Sequence, residues 1–327
     1  VPQPKPVPSS YRAPDGKWHH HIRQSDITTF RQCPELRRLD MLKQFKRRDN
    51  DTAGLGTAAH EGFRYTCEHT RLGDTVSLEL ATDAAQEAWS EIWANEATHI
   101  TEIATEREGL ILVADVMRRW WHEIWLPYFA DAQILEVEQP FTVLVYEDEY
   151  RCIYLQGTYD LRVPRKACDW KTSNKAYSGR DAWKYQRHYS SVQHIVYPWA
   201  IDVMLGLDPL AGAQSRRTGD QELSHSFTYF VIPREPKGAS IPSTDSLQIR
   251  PTVSDCAFLL EEMLGWCYLI EAELPQWPLG PTDWWCSSKW CPAWDQCRGL
   301  HHGPDPWGLV QRMTDNLNKK GYKANGK

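Results

Sequence analysis

Asp160 and Asp169 stand on either side of LRVPRKAC, where Pro164, Arg165 and Lys166 suit a turn. The flanking runs, RCIYLQGTYDLRV and KACDWKT, are rich in β-branched and aromatic residues, so a tight hairpin would bring the two carboxylates onto neighbouring strands. In DWKT, Asp169 and Lys171 are two residues apart and share one face of a strand. Two oxygen ligands with a lysine beside them are the parts of a Mg2+ or Mn2+ site that holds a phosphate and activates water. An ion pair on an exposed edge strand would give the same D-x-K string. In SVQHIVYPWA, Gln193 and Tyr197 are four apart and fall on one face of the helix expected after DWKT. His60, early in a helix behind the Gly-rich turn of GLGTAAHEG, offers an imidazole nitrogen as a further ligand. Taken singly, these three also read as structural residues. Glu138, on the strand before GTYD, is within reach in principle but reads as a solvated side chain and is left out of the site.

The elements that must position these residues follow from periodicity. Ser25 is a plausible N-cap for DITTFRQCPELRRLDMLKQF, within which Pro34 starts a second helix. Another helix runs through GTAAHEGFRYTCEHT, and amphipathic helices follow near residues 82–98 and 105–128. From residue 133 the pattern alternates: QILEVEQPFTVLVY, RCIYLQGTYDLRV and KACDWKT read as consecutive antiparallel strands. A helix at about 181–205, strands HSFTYFVIP and SLQIRP, and a helix across 253–272 complete an α/β core with a helical N-terminal elaboration and a Cys-rich C-terminal tail. The expected division is a disordered arm at 1–24, closed by an exposed run His19, His20 and His21; a helical region at 25–130; the α/β core at 131–275; a cysteine tail at 276–303; and a basic extension at 304–327.

With 41% hydrophobic and 24% charged residues among 327, the composition is that of a core-forming globular chain of one elaborated domain or two. It excludes a disordered or fibrous protein. No run approaches the ~18 apolar residues of a membrane span, and VPQPKPVPSSYRAPDGKW lacks the apolar core of a signal peptide, so a cytoplasmic location is expected. A formal charge of -6 gives no overall grip on nucleic acid. Locally, residues 31–48 carry seven basic side chains against two acidic ones, and residues 160–190 eight against three. Residues 68–108 hold ten carboxylates and two arginines, a solvated helical face.

GLGTAAHE, GTYD, DWKT and QHIVY, in that order and at these separations, resemble the RecB-type branch of the PD-(D/E)XK nuclease superfamily. The resemblance covers roughly residues 25 to 300 and implies a restriction-endonuclease-like core, a mixed sheet flanked by helices. It makes His60, Asp160 and Asp169 ligands of Mg2+ or Mn2+, Lys171 the group that orients or deprotonates the attacking water, and Gln193 with Tyr197 partners of DNA and of the site. The implied activity is metal-dependent hydrolysis of DNA phosphodiester bonds, from single-stranded ends, in recombination, repair or phage DNA processing. The alternative is a non-catalytic DNA-end-binding or scaffolding protein that keeps the fold; the intact GTYD and DWKT argue for the enzyme.

Nine cysteines, an odd number, argue against a disulfide framework. Cys67, Cys152, Cys168, Cys256 and Cys267 are scattered singly and read as small buried hydrophobes. Cys286, Cys291 and Cys297 cluster in WWCSSKWCPAWDQC and lack a fourth partner. His301 would complete a Cys3His zinc site. Cys33, far away in sequence, would complete the four thiolates of a 4Fe-4S cluster. The resemblance favours the second, since iron-sulfur nucleases similar to CRISPR-associated and phage exonucleases place one cysteine in a C-P context before the His motif and three near the C-terminus. Trp284, Trp285, Trp290 and Trp294 could stack on unpaired bases, but shielding the cluster from solvent is the preferred reading.

Overall fold

A computed structural model describes residues 9–43, 51–95, 103–173, 191–210, 221–233 and 245–273, together with Trp277, Cys286, 291–294, Gln296 and Cys297. The chain divides into two compact units, Val1–Gln24 with Arg48–Glu271, and Ser25–Arg47 with Ala272–Lys327. The helices expected at 25–130 are thus shared between the two units instead of forming a region of their own.

The first unit is organised around one long hairpin. Strands β3 (Glu136–Glu147) and β4 (Arg151–Val163) pair antiparallel. Their turn is held by the Asp148 carboxylate, which accepts from the backbone N–H groups of Tyr150 at 2.8 Å and Arg151 at 2.7 Å. A two-residue turn leads to β5 (Lys166–Ser173): Pro164 fixes one backbone angle, and Arg165 takes the left-handed conformation at φ 59°. Strands β1 (Ser10–Arg12), β2 (Trp18–Arg23), β6 (Ser226–Pro233) and β7 (Asp245–Ile249) complete a seven-stranded mixed sheet of order β1-β2-β4-β5-β6-β7, with β3 on β4.

The part of the expected disordered arm that is described is therefore ordered. Polar composition suggested an arm, but β2 pairs parallel with β4 from Trp18↔Arg151 to Arg23↔Gln156. Nor is the histidine run exposed throughout. His20 is 0% exposed, with its ring between Ser10 Oγ and the Glu271 carboxylate, each at 3.0 Å.

Helices cover both faces of the sheet. On one face lie α3 (Asp51–Leu72), α4 (Leu78–Ala94) and α5 (Glu106–Trp120). Ser77 and Thr105 cap α4 and α5 by accepting the N–H of Leu80 and Glu108. Phe63, Trp89, Trp120 and Trp170 join these helices to the sheet in one apolar core. α5 passes so close to Trp89 that a Cβ on Gly109 would sit 2.1 Å from its ring. After α5 the chain makes a π-helical turn, Trp121–Trp125, and a short turn Leu126–Tyr128. Pro127, which has no N–H to continue the α-helical ladder, accounts for the change of winding.

On the other face α6 (Gln193–Met204) is buried through Asp202, and α7 (Val253–Glu271) ends in Glu271, which binds His20 and Arg151. Opposite facing follows from β5 itself: Trp170 packs on Phe63 and Trp120, whereas its neighbour Asp169 meets Gln193. The expected helix at 181–205 begins at Gln193 in its described part; 181–190 lies outside the described residues.

In the second unit α1 (Gln24–Gln32) and α2 (Pro34–Met41) meet at Cys33, whose extended backbone, φ -163°, precedes Pro34 at the first helical position. Cys33, Leu36, Leu39, Ala293 and Cys297 form an apolar cluster against which Cys291 packs. Glu35, 1% exposed, ties the segments by accepting the Trp277 N–H at 2.8 Å and pairing with Arg38. Lys46, Arg47, Arg48, His301, Trp284, Trp285, Trp290 and the extension 304–327 lie outside the described residues.

Candidate metal centre

The site opens where β4 and β5 part. Their ladder ends at Leu161↔Cys168, and β2 has left β4 at Gln156, so Asp160 lies between the two pairings. The backbone of β5 facing that gap is satisfied by side chains. Trp170 N–H donates to Asp160 Oδ2 at 2.8 Å, and Trp170 C=O contacts His60 Nε2 at 2.9 Å. A carbonyl can only accept, so Nε2 carries a proton, and Nδ1 is the nitrogen turned toward the acids, where it could serve as a ligand. That nitrogen lies 3.6 Å from Asp160 Oδ2 and 4.0 Å from Glu138 Oε1.

His60, Glu138 and Asp160 each offer one ligand atom, all within 4.8 Å of one another. Glu138 is the residue that sequence reasoning discarded. It stands opposite Asp160 across the β3–β4 pair and has a left-handed backbone, φ 43°, a conformation that costs a non-glycine residue about 1–2 kcal/mol. A register counted back from the EDEY turn would have set it opposite Leu161, because a bulge between Leu144 and Tyr146 shifts the pairing by one residue; its residue type alone carried no signal. Burial and the charges of Asp160 and Asp169 push its carboxyl up to about 8. Asp160 is likewise raised, by burial and then by Asp169, with His60 and Lys171 opposing. Acid groups that resist ionising because of one another form the kind of donor set that a divalent cation relieves.

Asp169 is outside that three-residue set. Its Oδ1 accepts from Lys171 Nζ at 2.9 Å and from Gln193 Nε2 at 3.0 Å. Its Oδ2, buried, lies 2.7 Å from the same ammonium but has no well-directed hydrogen bond, which leaves a lone pair for a cation. Gln193 also donates to Tyr197 OH at 3.2 Å. Both residues are 4% exposed, and Gln193 reaches Asp169 directly while Tyr197 meets Gln193. Gly157 of GTYD has a local reason too, since a Cβ there would come within 2.8 Å of the Phe141 ring and 3.3 Å of Tyr197.

An open cleft of about 410 Å3, lined by Gly56, Thr57, His60, Glu61, Arg64 and Glu138, gives access. Arg64 in its wall is tied to Glu61 and to Glu68. In the described part of the basic segments Arg37 pairs with Asp26 and Asp40, Arg38 with Glu35, and Arg162 with Glu136.

In the second unit Cys286 and Cys297 are buried and Cys291 half-buried. Among the described residues no three cysteine sulfurs lie within 4.8 Å of one another.

None of the described helices is long and apolar enough to cross a membrane. Comparison with curated proteins finds no match. The family model for the PD-(D/E)XK nuclease superfamily matches residues 21–298, a span that holds His60, Glu138, Asp160, Asp169, Lys171 and all four cysteines of the second unit. The mixed sheet flanked by helices agrees with that match, and the chain belongs to the PD-(D/E)XK nuclease superfamily.

Proposed function

We propose that this protein is a metal-dependent DNA exonuclease of the RecB type that works from single-stranded ends and carries a 4Fe-4S cluster. The observation that carries the reading is the convergence of His60 Nδ1, Glu138 and Asp160 beside the Asp169–Lys171 pair. His60, Glu138 and Asp160, with Asp169 beside them, would hold a Mg2+ or Mn2+ ion. When bound, the ion supplies a Lewis acid and an acidified water. Lys171, fixed beside Asp169, orients the attacking water or neutralises charge on the phosphate oxygens. Gln193 and Tyr197 hold Asp169 in place.

Cys33, Cys286, Cys291 and Cys297 hold the cluster, which joins α2 to the C-terminal segment as a staple and takes no part in hydrolysis. DNA processing in recombination, repair or a phage life cycle suits such an activity.

Two assays test this reading. Protein purified without oxygen is analysed for iron, with about four iron atoms per chain expected for such a cluster. A colourless protein with one zinc would replace the iron-sulfur assignment. End-labelled linear single strands and covalently closed circles are then digested side by side in Mg2+ and Mn2+ buffers. Linear strands should disappear first. Equal rates would make the protein an endonuclease, and no cleavage of either would return it to the non-catalytic DNA-end-binding class.

A further inference from the structure

Beneath Asp169 the polar chain continues past Gln193. Ser191 Oγ donates to Gln193 Oε1 at 3.3 Å and lies 2.8 Å from Tyr229 OH. Tyr229 stands beside Asp169 in the parallel β5–β6 pair, so the two side chains share a face. Ser191, Gln193, Asp169 and Tyr229 are 5%, 4%, 2% and 0% exposed, and water is not at hand to replace any member.

A buried amide has two unlike ends. With Gln193 Nε2 toward Asp169, the carboxylate receives a donor; flipped, two acceptor oxygens would face each other. What distinguishes the orientations is the group at the other end of the amide. Ser191 has one proton, and with that proton given to Oε1 its contact with Tyr229 must be donated by the phenol. Order therefore runs one way: Tyr229 to Ser191, Ser191 to Gln193, Gln193 to Asp169. Each bond polarises the next, which strengthens the last in a site of low dielectric.

We propose that Ser191 and Tyr229 are positioning residues that lock the Gln193 amide and, through it, keep Oδ1 of Asp169 engaged, so that Oδ2 would stay available to a bound metal ion. The inference rests on the nuclease reading of Asp169. It gives a reason for a serine just before α6 and a tyrosine on β6, neither of which approaches the cleft.

The test is Mn2+ titration by calorimetry on the full chain, with cleavage of linear single-stranded DNA at limiting and saturating Mn2+. A lost buried hydrogen bond should weaken Mn2+ binding by about three- to tenfold in Ser191→Ala. Its cleavage should fall at limiting metal and recover at saturation. Ser191→Thr, which keeps the hydroxyl, should bind like wild type, and Tyr229→Phe should shift affinity in the direction of Ser191→Ala. Where Ser191→Ala does not fold, Tyr229→Phe, which lacks one oxygen, carries the same comparison. Folded variants with wild-type Mn2+ affinity would overturn the relay and leave the nuclease reading standing. A wild-type chain that neither binds Mn2+ nor cleaves would remove the nuclease reading and the relay with it.

Discussion

Cysteines and carboxylates both converge in this molecule, but the two units bring them together by different means. Around Glu138 and Asp160 the sheet and α3 bury acids side by side, and burial first, then the neighbouring carboxylates, raises both carboxyls. The aromatic core behind them, from Phe63 to Trp170, supplies the constraint. In the second unit Cys33 and Cys297 are themselves part of the described apolar core, beside Leu36, Leu39 and Ala293. Cys67 and Cys168 sharpen the contrast. They lie inside the first unit's hydrocarbon, where burial pushes both thiols up, and behave as small hydrophobes. A scaffold that exists without its ion can lose the ion and stay folded; if the second unit's cysteines hold the proposed cluster, its loss would take part of that unit's core with it.

The sharpest way to break the comparison is at the chemistry. Asp160→Ala, Asp169→Ala and Lys171→Ala should each lower cleavage by roughly a hundredfold or more, with circular dichroism and iron content unchanged. Mn2+ affinity should fall in the two aspartate variants and hold in Lys171→Ala. Near wild-type cleavage in all three would put the active centre elsewhere.

Cys33→Ser comes next. It should lose iron and expose the second unit to proteolysis, with the fragment Arg48–Glu271 resisting digestion longer, and His301→Ala should do neither. A Cys33→Ser variant with full iron and unchanged proteolysis would contradict the contrast between the units.

Glu138→Gln probes the strain in the carboxylate centre. A carboxyl raised to about 8 when folded, against an ordinary value of 4.5, favours folding at low pH, and that contribution is lost as pH rises from about 4.5 to 8. In chelator, the wild-type melting temperature should therefore drop over that range more than the variant's. With Mn2+ added the order should reverse, because the variant lacks a ligand. Parallel melting curves under both conditions would show that Glu138 is indifferent to the ion.

The smallest effect is expected at His20. Burial lowers its pKa from 6.5, with Glu271 opposing, so it favours folding above that value and ceases to as pH falls below it. Replacement by Gln should lower stability at pH 7.5 slightly and flatten the decline below pH 6.5. An unchanged acid slope would assign the decline to other groups.

Much of this was legible in the sequence. Turn chemistry and the two-residue period placed Asp160, Asp169 and Lys171 on neighbouring strands that fell where β-branched runs put them, but their proposed chemistry came from the resemblance to the nuclease family, since D-x-K alone also fits an edge-strand ion pair. Gln193 and Tyr197 were legible as a pair on one helix face, but not in depth, because a four-residue spacing says which face residues share and not how much lies over it. Glu138 was missed because its place depends on hairpin register and a left-handed backbone. Strands β1 and β2 were missed because Pro, Ser and His argue locally for a loop, and only β4, over a hundred residues away, gives β2 its partner.

That parallel pairing has a consequence for the order in which the protein can be made. A growing chain releases β2 long before β4, and α1 and α2 before the segment from Ala272 that completes their unit. The early segments must wait, solvated, while α3 to α5 and the β3–β4 hairpin form locally. The prevalence of histidine, serine and charge in the first strands then has a use: a segment without a partner for that long stays out of aggregates. β2 joins the sheet once β4 arrives, β5 to β7 are added after it, and Cys286, Cys291 and Cys297 come last, so the proposed cluster would be inserted after the residues of the proposed metal centre are already in place.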